Sequence, residues 1–484
     1  MEGSRVQPVK SSAPSPLLAL GVFLAGVLGT LSVMRGIFDP DYFWHFATGR
    51  LIAQTGAILR TDPFSFSWFG ESWIPDQWLS DVLIYRLVKL AGANTGLLVF
   101  GFVAAVGISV LGVGLRSRGA SHRSIALVSL LVAAVVLPQV TMRPQVLSLA
   151  MLTAVLTVLI TAHPDRRLLL LILPPLFLLW ANLHGFYVIG LGAGFVYLVA
   201  TLLGRTAMSS ARGWVIAAGV GSLLASMITP TGPSGILYSL SFTDPNDWGA
   251  RNIAEWQSPN FHDVQFLPFL ILIVVLLAFG NRGPGWLRFM AYVGLAMGLL
   301  AVRSIGVAGF MIMPTLVAGL DARLASPLVR GGRDVDGRRW IELAAAGLVA
   351  VVAMSVALVG AAGRSELSND RFPVAGVAYL AEHDPDARVL TRYGWGGYVL
   401  NELYPSGGRV FADGRMHKYG GSVLDDYSTL VAADAGWEKL VDRYGVEALL
   451  LRVDTPLVRG PAQADGWCEA YRDDLQVLLL RSCA

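Results

Sequence analysis

The chain carries little charge for its length. Asp, Glu, Lys and Arg make up 15% of 484 residues, against 54% hydrophobic residues and a mean hydropathy of +0.57. A water-soluble chain of this size would expose large apolar patches, so a soluble globular enzyme is excluded. Cysteine is almost absent, with only Cys468 and Cys483, and no His/Cys cluster has metal-ligand spacing. No basic run is interleaved with aromatic residues, which excludes a nucleic-acid partner. No lipidation motif stands out, and no small-x-small cleavage site follows the first apolar run, which therefore reads as an uncleaved span. The net charge of +3 is spread over many loops and indicates no partner.

Long apolar runs fill the space that charge leaves. They lie near 16–34, 94–115, 124–140, 146–162, 168–183, 187–203, 213–230, 265–280, 285–301, 305–320 and 340–360. At roughly twenty residues per crossing they predict a polytopic α-helical membrane protein of about eleven transmembrane helices, embedded in a lipid bilayer. Arginine collects in the loops 116–123, 163–167, 204–212, 281–282 and 321–339. These loops fall inside if the N-terminus is cytoplasmic. The opposite side then receives a long first loop (35–93), a later loop (231–265) and the tail. Residues 1–363 form the transmembrane part, and 364–484 a small extracytoplasmic α/β domain.

In that tail, β-prone runs at 388–392, 409–412, 448–452 and 476–480 alternate with helical patterns at 374–383 and 436–444. Both cysteines lie there. On an oxidising face they would pair, and otherwise they are two thiols in a small core.

The chemistry-bearing stretch is Asp39-Pro40-Asp41-Tyr42-Phe43-Trp44-His45, just past the first span. Asp39-Pro40 reads as a helix start, with an acidic cap and Pro at the first position, so Asp41 and His45 share a face. Acids at a membrane boundary face a wet cavity or a polar ligand, although a capping Asp with a solvated partner gives the same pattern. Asp62 and Asp76 read first as structural turn and cap residues. Arg143, in the turn 141–145, and Arg303, between two apolar spans, are either phosphate-binding forks or side chains snorkelling to headgroups. Asp413-Gly414-Arg415 reads first as a turn after a strand and second as a segment that covers the site or binds acceptor.

An acidic motif in a long first outer loop, a bundle of about eleven helices and an outer α/β tail together resemble the GT-C glycosyltransferases. Asp39-Pro40-Asp41-Tyr42-Phe43-Trp44-His45 is similar to that family's acidic loop motif. Trp180-Ala181-Asn182-Leu183-His184-Gly185, Ala254-Glu255-Trp256-Gln257, Tyr393-Gly394-Trp395-Gly396-Gly397-Tyr398 and Phe411-Ala412-Asp413-Gly414-Arg415 resemble segments of uncharacterised bacterial relatives. The tail pair is also similar to the Trp-Trp-Asp-Tyr-Gly region of oligosaccharyltransferases, but without its Asp. Where relatives carry His-Glu before Trp-Leu in the first loop, this chain has Asp76-Gln77.

The resemblance implies an inverting transfer of a sugar from a polyprenyl-phosphate donor to a glycan, lipid or protein acceptor. It implies Asp41 as base with Asp39 second. His45, Arg143, Asn182, His184, Glu255, Trp256 and Arg303 are then candidate substrate-binding residues, though Asn182 fits equally well as a partner for irregular backbone. Asp39 with Asp41 would hold a divalent cation if the donor were a diphosphate. A monophosphate donor requires none, and no metal or cofactor is assigned. Two other readings share the topology. A lipid-linked-sugar transporter would show mid-span charges and internal repeats. A non-catalytic assembly or sensor protein would tolerate loss of Asp39, Asp41 and Arg303.

Overall fold

The computed structural model describes residues 16–241, 248–324, 371–419 and 421–481. Six helices are long and apolar enough to cross a membrane: Pro16–Arg35, Ala93–Ser117, His122–Gln139, Pro144–Thr161, Pro164–Leu183 and Val302–Leu324. Tyr187–Leu202 and Ala207–Ser226 pass the same test together, bent by 83°, and the apolar helices Val264–Phe279 and Gly285–Leu300 are shorter. All but the last expected run therefore fall on helices, while length and composition alone support six spans, or seven with the bent pair. The last run (340–360) and the 363/364 boundary lie outside the described residues.

Local sequence explains where these helices begin. Ser121 accepts the Ser124 N–H at 3.2 Å and caps the third span. Pro144 opens the fourth, with Arg143 extended before it. Phe102, Leu127, Phe195 and Leu277 lie on outward faces, more than half exposed, as an apolar belt requires. The first two spans meet at small residues: a Cβ added to Gly101 would stand 2.6 Å from Gly29 Cα, so only glycine permits this crossing.

The first loop folds into two helices, α1 (Asp41–Thr55) and α2 (Trp78–Ala91). Asp39 Oδ1 accepts the Asp41 N–H at 3.1 Å, the hydrogen bond expected of a capping Asp before Pro. Gly56, at φ +68°, ends α1 in the left-handed conformation. Gly49 lies against the Asp81 carbonyl, which leaves no room for a Cβ and draws the two helices close.

The tail forms a five-stranded sheet of order β2-β1-β3-β5-β4. Its strands are β1 (Arg388–Thr391), β2 (Arg409–Val410), β3 (Ala448–Arg452), β4 (Cys468–Arg472) and β5 (Gln476–Leu480). β1 pairs parallel with β2 and β3, and β5 pairs antiparallel with β3 and β4. β4 was not expected from the sequence. Cys468 lies on it, while Cys483, and with it their pairing, lies outside the described residues.

The sheet alternates as its period requires. Val389, Leu450 and Leu478 join the core that runs through the spans, whereas Leu390, Leu449, Leu451 and Leu479 pack in a second core with Tyr427 and Trp437. The first loop extends the sheet at its β2 edge. Phe66 N–H donates to the Val410 carbonyl at 3.0 Å, and Val410 N–H to the Phe64 carbonyl at 3.2 Å. The helix Gly396–Leu403 rests on α1 through Gly397 at the Pro40 carbonyl and Tyr398 edge-on to Phe43 at 5.1 Å.

Candidate functional site

Where the first loop, the spans and the tail meet, acids and arginines converge. The Thr141–Pro144 turn delivers Arg143, and its guanidinium is shared by three carboxylates. It pairs with Asp41, donates to Glu255 Oε2 at 2.8 Å and Oε1 at 3.3 Å, and lies 3.4 Å from Asp39 Oδ2. Thr141 Oγ1 donates to Asp39 Oδ2 at 3.0 Å, so Asp39 is spent on capping α1 and tethering this turn. Arg303 stands behind Glu255, at 3.8 Å from Oε1, with its guanidinium over the Trp256 ring at 4.0 Å and the Phe186 ring at 5.5 Å. Its Nε is buried without a hydrogen-bond partner among the described residues.

The three carboxylates do not share this charge equally. Burial pushes the Asp41 carboxyl up to about 7; Arg143 pulls it down, and the nearby charges of Asp39 and Glu255 push it further up. Burial also acts on Glu255, but Arg143 and Arg303 outweigh it and hold that carboxyl at about 2. Glu255 is thus the permanent counter-ion and Asp41 the acid that gains and loses a proton near neutrality. Gly414, in the loop after β2, lies directly over the Asp41 carboxylate and the Trp44 indole, where a Cβ would collide with both.

His184 lies just beyond the end of its span. Its Nδ1 accepts the Phe186 N–H at 3.2 Å and sits 2.9 Å from Ser148 Oγ, which in turn accepts the Trp180 indole N–H at 2.7 Å. Burial, with Arg303 and Arg143 nearby, holds the imidazole well below its ordinary range. A neutral ring that accepts at Nδ1 carries its proton on Nε2.

Two candidate residues serve other side chains. His45 is 2% exposed, and its Nδ1 lies 2.6 Å from Asp81 Oδ1. Burial drives Asp81 well above and His45 well below their usual ranges, so a neutral pair locks α1 to α2. Asn182 accepts the Trp78 indole N–H at 2.8 Å and donates to the Leu178 and Ile228 carbonyls, both at 2.9 Å. Its amide is therefore taken up by one helical carbonyl, one carbonyl of irregular backbone and an aromatic anchor.

Residues given structural readings from sequence lie beside the cluster. Burial raises the Asp76 carboxyl to about 6 against the pull of its own backbone N–H, Gln77 and Arg303. Its helix α2 begins at Trp78 without a side-chain cap, so Asp76 does not serve the capping role expected of it. His417 lies 5.7 Å from Trp256 and 6.2 Å from Tyr238, ring to ring. No motif around His417 pointed there; only the fold of the tail brings it in.

The tail is fixed by a buried ionic network. Arg415 donates to Asp62 Oδ1 at 2.9 Å and to Asp413 Oδ1 at 2.7 Å, and pairs again with Asp413 through Nη2. Lys418 pairs with Asp62, and Tyr419 OH donates to Asp413 Oδ2 at 2.8 Å. Burial and Arg415 depress Lys418 to about 7 against Asp62 and Asp413. Trp73 lies over this network, 4.4 Å from the Arg415 guanidinium. Asp413-Gly414-Arg415, directly after β2, thus also forms the junction between tail and first loop.

Among the described residues no three His, Cys, Asp or Glu side chains group as a metal would require. Asp39 and Asp41 both lie against Arg143.

No family model and no curated protein matches the sequence. Solved structures do match. ArnT from Cupriavidus metallidurans in the apo state aligns with a TM-score of 0.55 at 17% identity, over 97% of this chain and 98% of that one. Its complex with undecaprenyl phosphate gives 0.52 at 16% identity, over 96% and 98%. The chain has the GT-C glycosyltransferase fold. This GT-C likeness extends to the archaeal oligosaccharyltransferase AglB from Archaeoglobus fulgidus, in complex with an inhibitory peptide and a dolichol-phosphate (TM-score 0.53, 10% identity, 90% of this chain and 69% of that one). It also extends to the mycobacterial arabinofuranosyltransferase AftD (0.54, 17%, 98% of this chain), of which the present chain spans only 42%. The apolar helices and this fold are those of a multi-pass membrane protein.

Proposed function

We propose that the chain is a membrane glycosyltransferase that takes a sugar from a polyprenyl-phosphate-linked donor and passes it to an acceptor hydroxyl with inversion. Transfer occurs on the face that carries the C-terminal sheet, which the basic-loop pattern assigns to the extracytoplasmic side. The observation that carries this reading is the pairing of an acid near neutrality with an under-used arginine. Asp41 is raised to about 7, and Arg303, behind Glu255, makes one long ion pair among the described residues, where its Nε also has no hydrogen-bond partner. Two structures of the same fold contain undecaprenyl phosphate or dolichol-phosphate, which supports a lipid-phosphate donor.

In this mechanism Arg303 and Arg143 receive the donor phosphate through their planar forks. As the acceptor oxygen attacks the anomeric carbon, its proton passes to Asp41 and the bond from that carbon to the phosphate oxygen breaks. The polyprenyl phosphate leaves with the bonding pair, and the two guanidinium groups stabilise the charge that develops on it. Glu255 stays ionised and holds both arginines, His184 offers its Nε2–H to a sugar or phosphate oxygen, and Trp256 presents a face for the sugar ring. A base with a pKa near working pH is the most effective one, and a positioned base contributes about 10²–10⁴ in rate.

The test is Asp41→Asn, assayed with a panel of synthetic polyprenyl-phosphate sugars in the host membrane. Transfer is expected to fall by at least about 100-fold while the protein stays inserted and monodisperse. Undiminished transfer in that variant would remove Asp41 from the mechanism.

A further inference from the structure

The end of the helix bundle opposite the site holds a cavity. The span His122–Gln139 leads from this end to Arg143, and Val302–Leu324 leads back from Arg303, so both arms of the site lie a full span away. The cavity, about 450 Å³ and open to the outside, lies between the ends of the second, fourth and last described spans and the sharp bend of the broken pair. That volume lies within the range of about 300–1,000 Å³ typical of small-molecule sites.

Its chemistry is divided. The floor is apolar, with Leu115 and Leu159 almost fully buried and Trp286 held edge-on to Tyr197 at 5.0 Å. The rim carries two exposed arginines, Arg118 and Arg205, from two different turns. Asp321 lines the same space. Its Oδ2 accepts the Ser121 N–H at 3.0 Å, while its Oδ1 is buried without a hydrogen-bond partner among the described residues. The two arginines and the carboxylate share one cavity, yet no ion pair joins them among the described residues. The lining therefore offers both signs of charge, and a carboxylate with one oxygen lacking a donor favours a ligand that carries a cation as well as an anion.

We propose that this cavity is a headgroup site for an amine-bearing phospholipid. The phosphate lies between Arg118 and Arg205, the primary ammonium pairs with the Asp321 carboxylate, and the glycerol and upper acyl carbons lie on the Leu115–Leu159–Trp286 floor. A span-end position puts the cavity at headgroup depth, where basic pockets between helices hold lipid phosphates. The ammonium distinguishes this ligand from others with the same phosphate. A choline headgroup has no N–H to give, and inorganic phosphate has neither ammonium nor acyl carbons.

Native mass spectrometry of the full-length protein, titrated with phosphatidylethanolamine and phosphatidylcholine of matched chains, tests this directly. Phosphatidylethanolamine is expected to bind at least about tenfold more tightly, the value of one charge-assisted hydrogen bond. Asp321→Asn, which keeps an oxygen for Ser121, is expected to shrink that gap to less than about threefold. Arg118→Gln with Arg205→Gln is expected to weaken both lipids by about tenfold or more. Equal binding of the two lipids to the wild-type protein overturns the proposal. Discrimination that survives in Asp321→Asn also overturns it, as does displacement of the lipid by inorganic phosphate at similar concentration. Thermal unfolding of each variant separates loss of the site from loss of the fold.

Discussion

Asp41 and Glu255 share one guanidinium, and that arrangement fixes how Asp41 must titrate. Two carboxylates on a single arginine lie on the order of 5 Å apart, where their repulsion at an effective permittivity of about 20 is on the order of 3 kcal/mol. At about 1.4 kcal/mol per pKa unit this is roughly two units, and the partial exposure of both side chains reduces it to about one. Removing the Glu255 charge also leaves Arg143 with only Asp41 and Asp39 to serve, which moves the Asp41 carboxyl in the same direction. Infrared titration of wild type against Asp41→Asn isolates the protonated-carboxyl band of Asp41 without any substrate. The midpoint is expected near 7 in the wild-type protein and lower by at least about one unit in Glu255→Gln. Because the base must be ionised to work, transfer rises with pH through the same midpoint, and in Glu255→Gln that rise moves to lower pH. A wild-type midpoint near the ordinary Asp value of about 4, or a midpoint that rises in Glu255→Gln, refutes the assignment of Asp41 as the neutral-range acid.

Three further outcomes follow from the same geometry. Arg303→Ala is expected to weaken binding of a non-hydrolysable polyprenyl-phosphate analogue by at least about tenfold, since it removes a charge-assisted contact; unchanged affinity would leave this arginine a mere ring-stacking partner. Asp62→Ala leaves Lys418 and Arg415 buried with only Asp413, and breaking such a buried network costs about 3–5 kcal/mol. Limited proteolysis of that variant is expected to open the first loop near residues 60–73 before the spans, and resistance equal to wild type would show the junction to be held by the sheet edge alone. Gly414→Ala places a methyl group against the Asp41 carboxylate and the Trp44 indole. It is expected to reduce transfer while the thermal unfolding profile of the spans stays unchanged.

The spans were legible because period and length alone define an apolar helix, and the sheet because its short β-prone runs alternate with helical ones. β4 escaped because Cys468–Arg472 is mostly half-exposed and mixes charged with aromatic residues, which gives no alternation to read. The acids and arginines were visible one by one. Their convergence was not, since Arg143 stands 102 positions from Asp41 and 112 from Glu255. Sequence also could not show which neighbour each polar side chain takes. His45 shares a helix with Asp41 yet is used by Asp81, and Asn182 is used by Trp78 and two carbonyls. Asp62 was rightly read as structural, but its partners Arg415 and Lys418 lie more than 350 positions away.

The tail is bound into the site rather than set beside it. Its edge strand pairs with the first loop at Ser65–Val410, and its helix Gly396–Leu403 rests on the helix that begins at Asp41. Its next loop sends Gly414 over Asp41 and His417 toward Trp256. These contacts are held by charges that burial would otherwise penalise heavily: Arg415 has Asp413 within the tail, but Asp62 and Lys418 find each other only when the loop meets the tail. The site is therefore complete only when both segments are folded together. The raised pKa of Asp41 depends on that closure, because burial is its largest cause and Gly414 covers the carboxylate. Opening the junction would rehydrate Asp41 and return it toward an ordinary aspartate, ionised at neutral pH and poorer as a base.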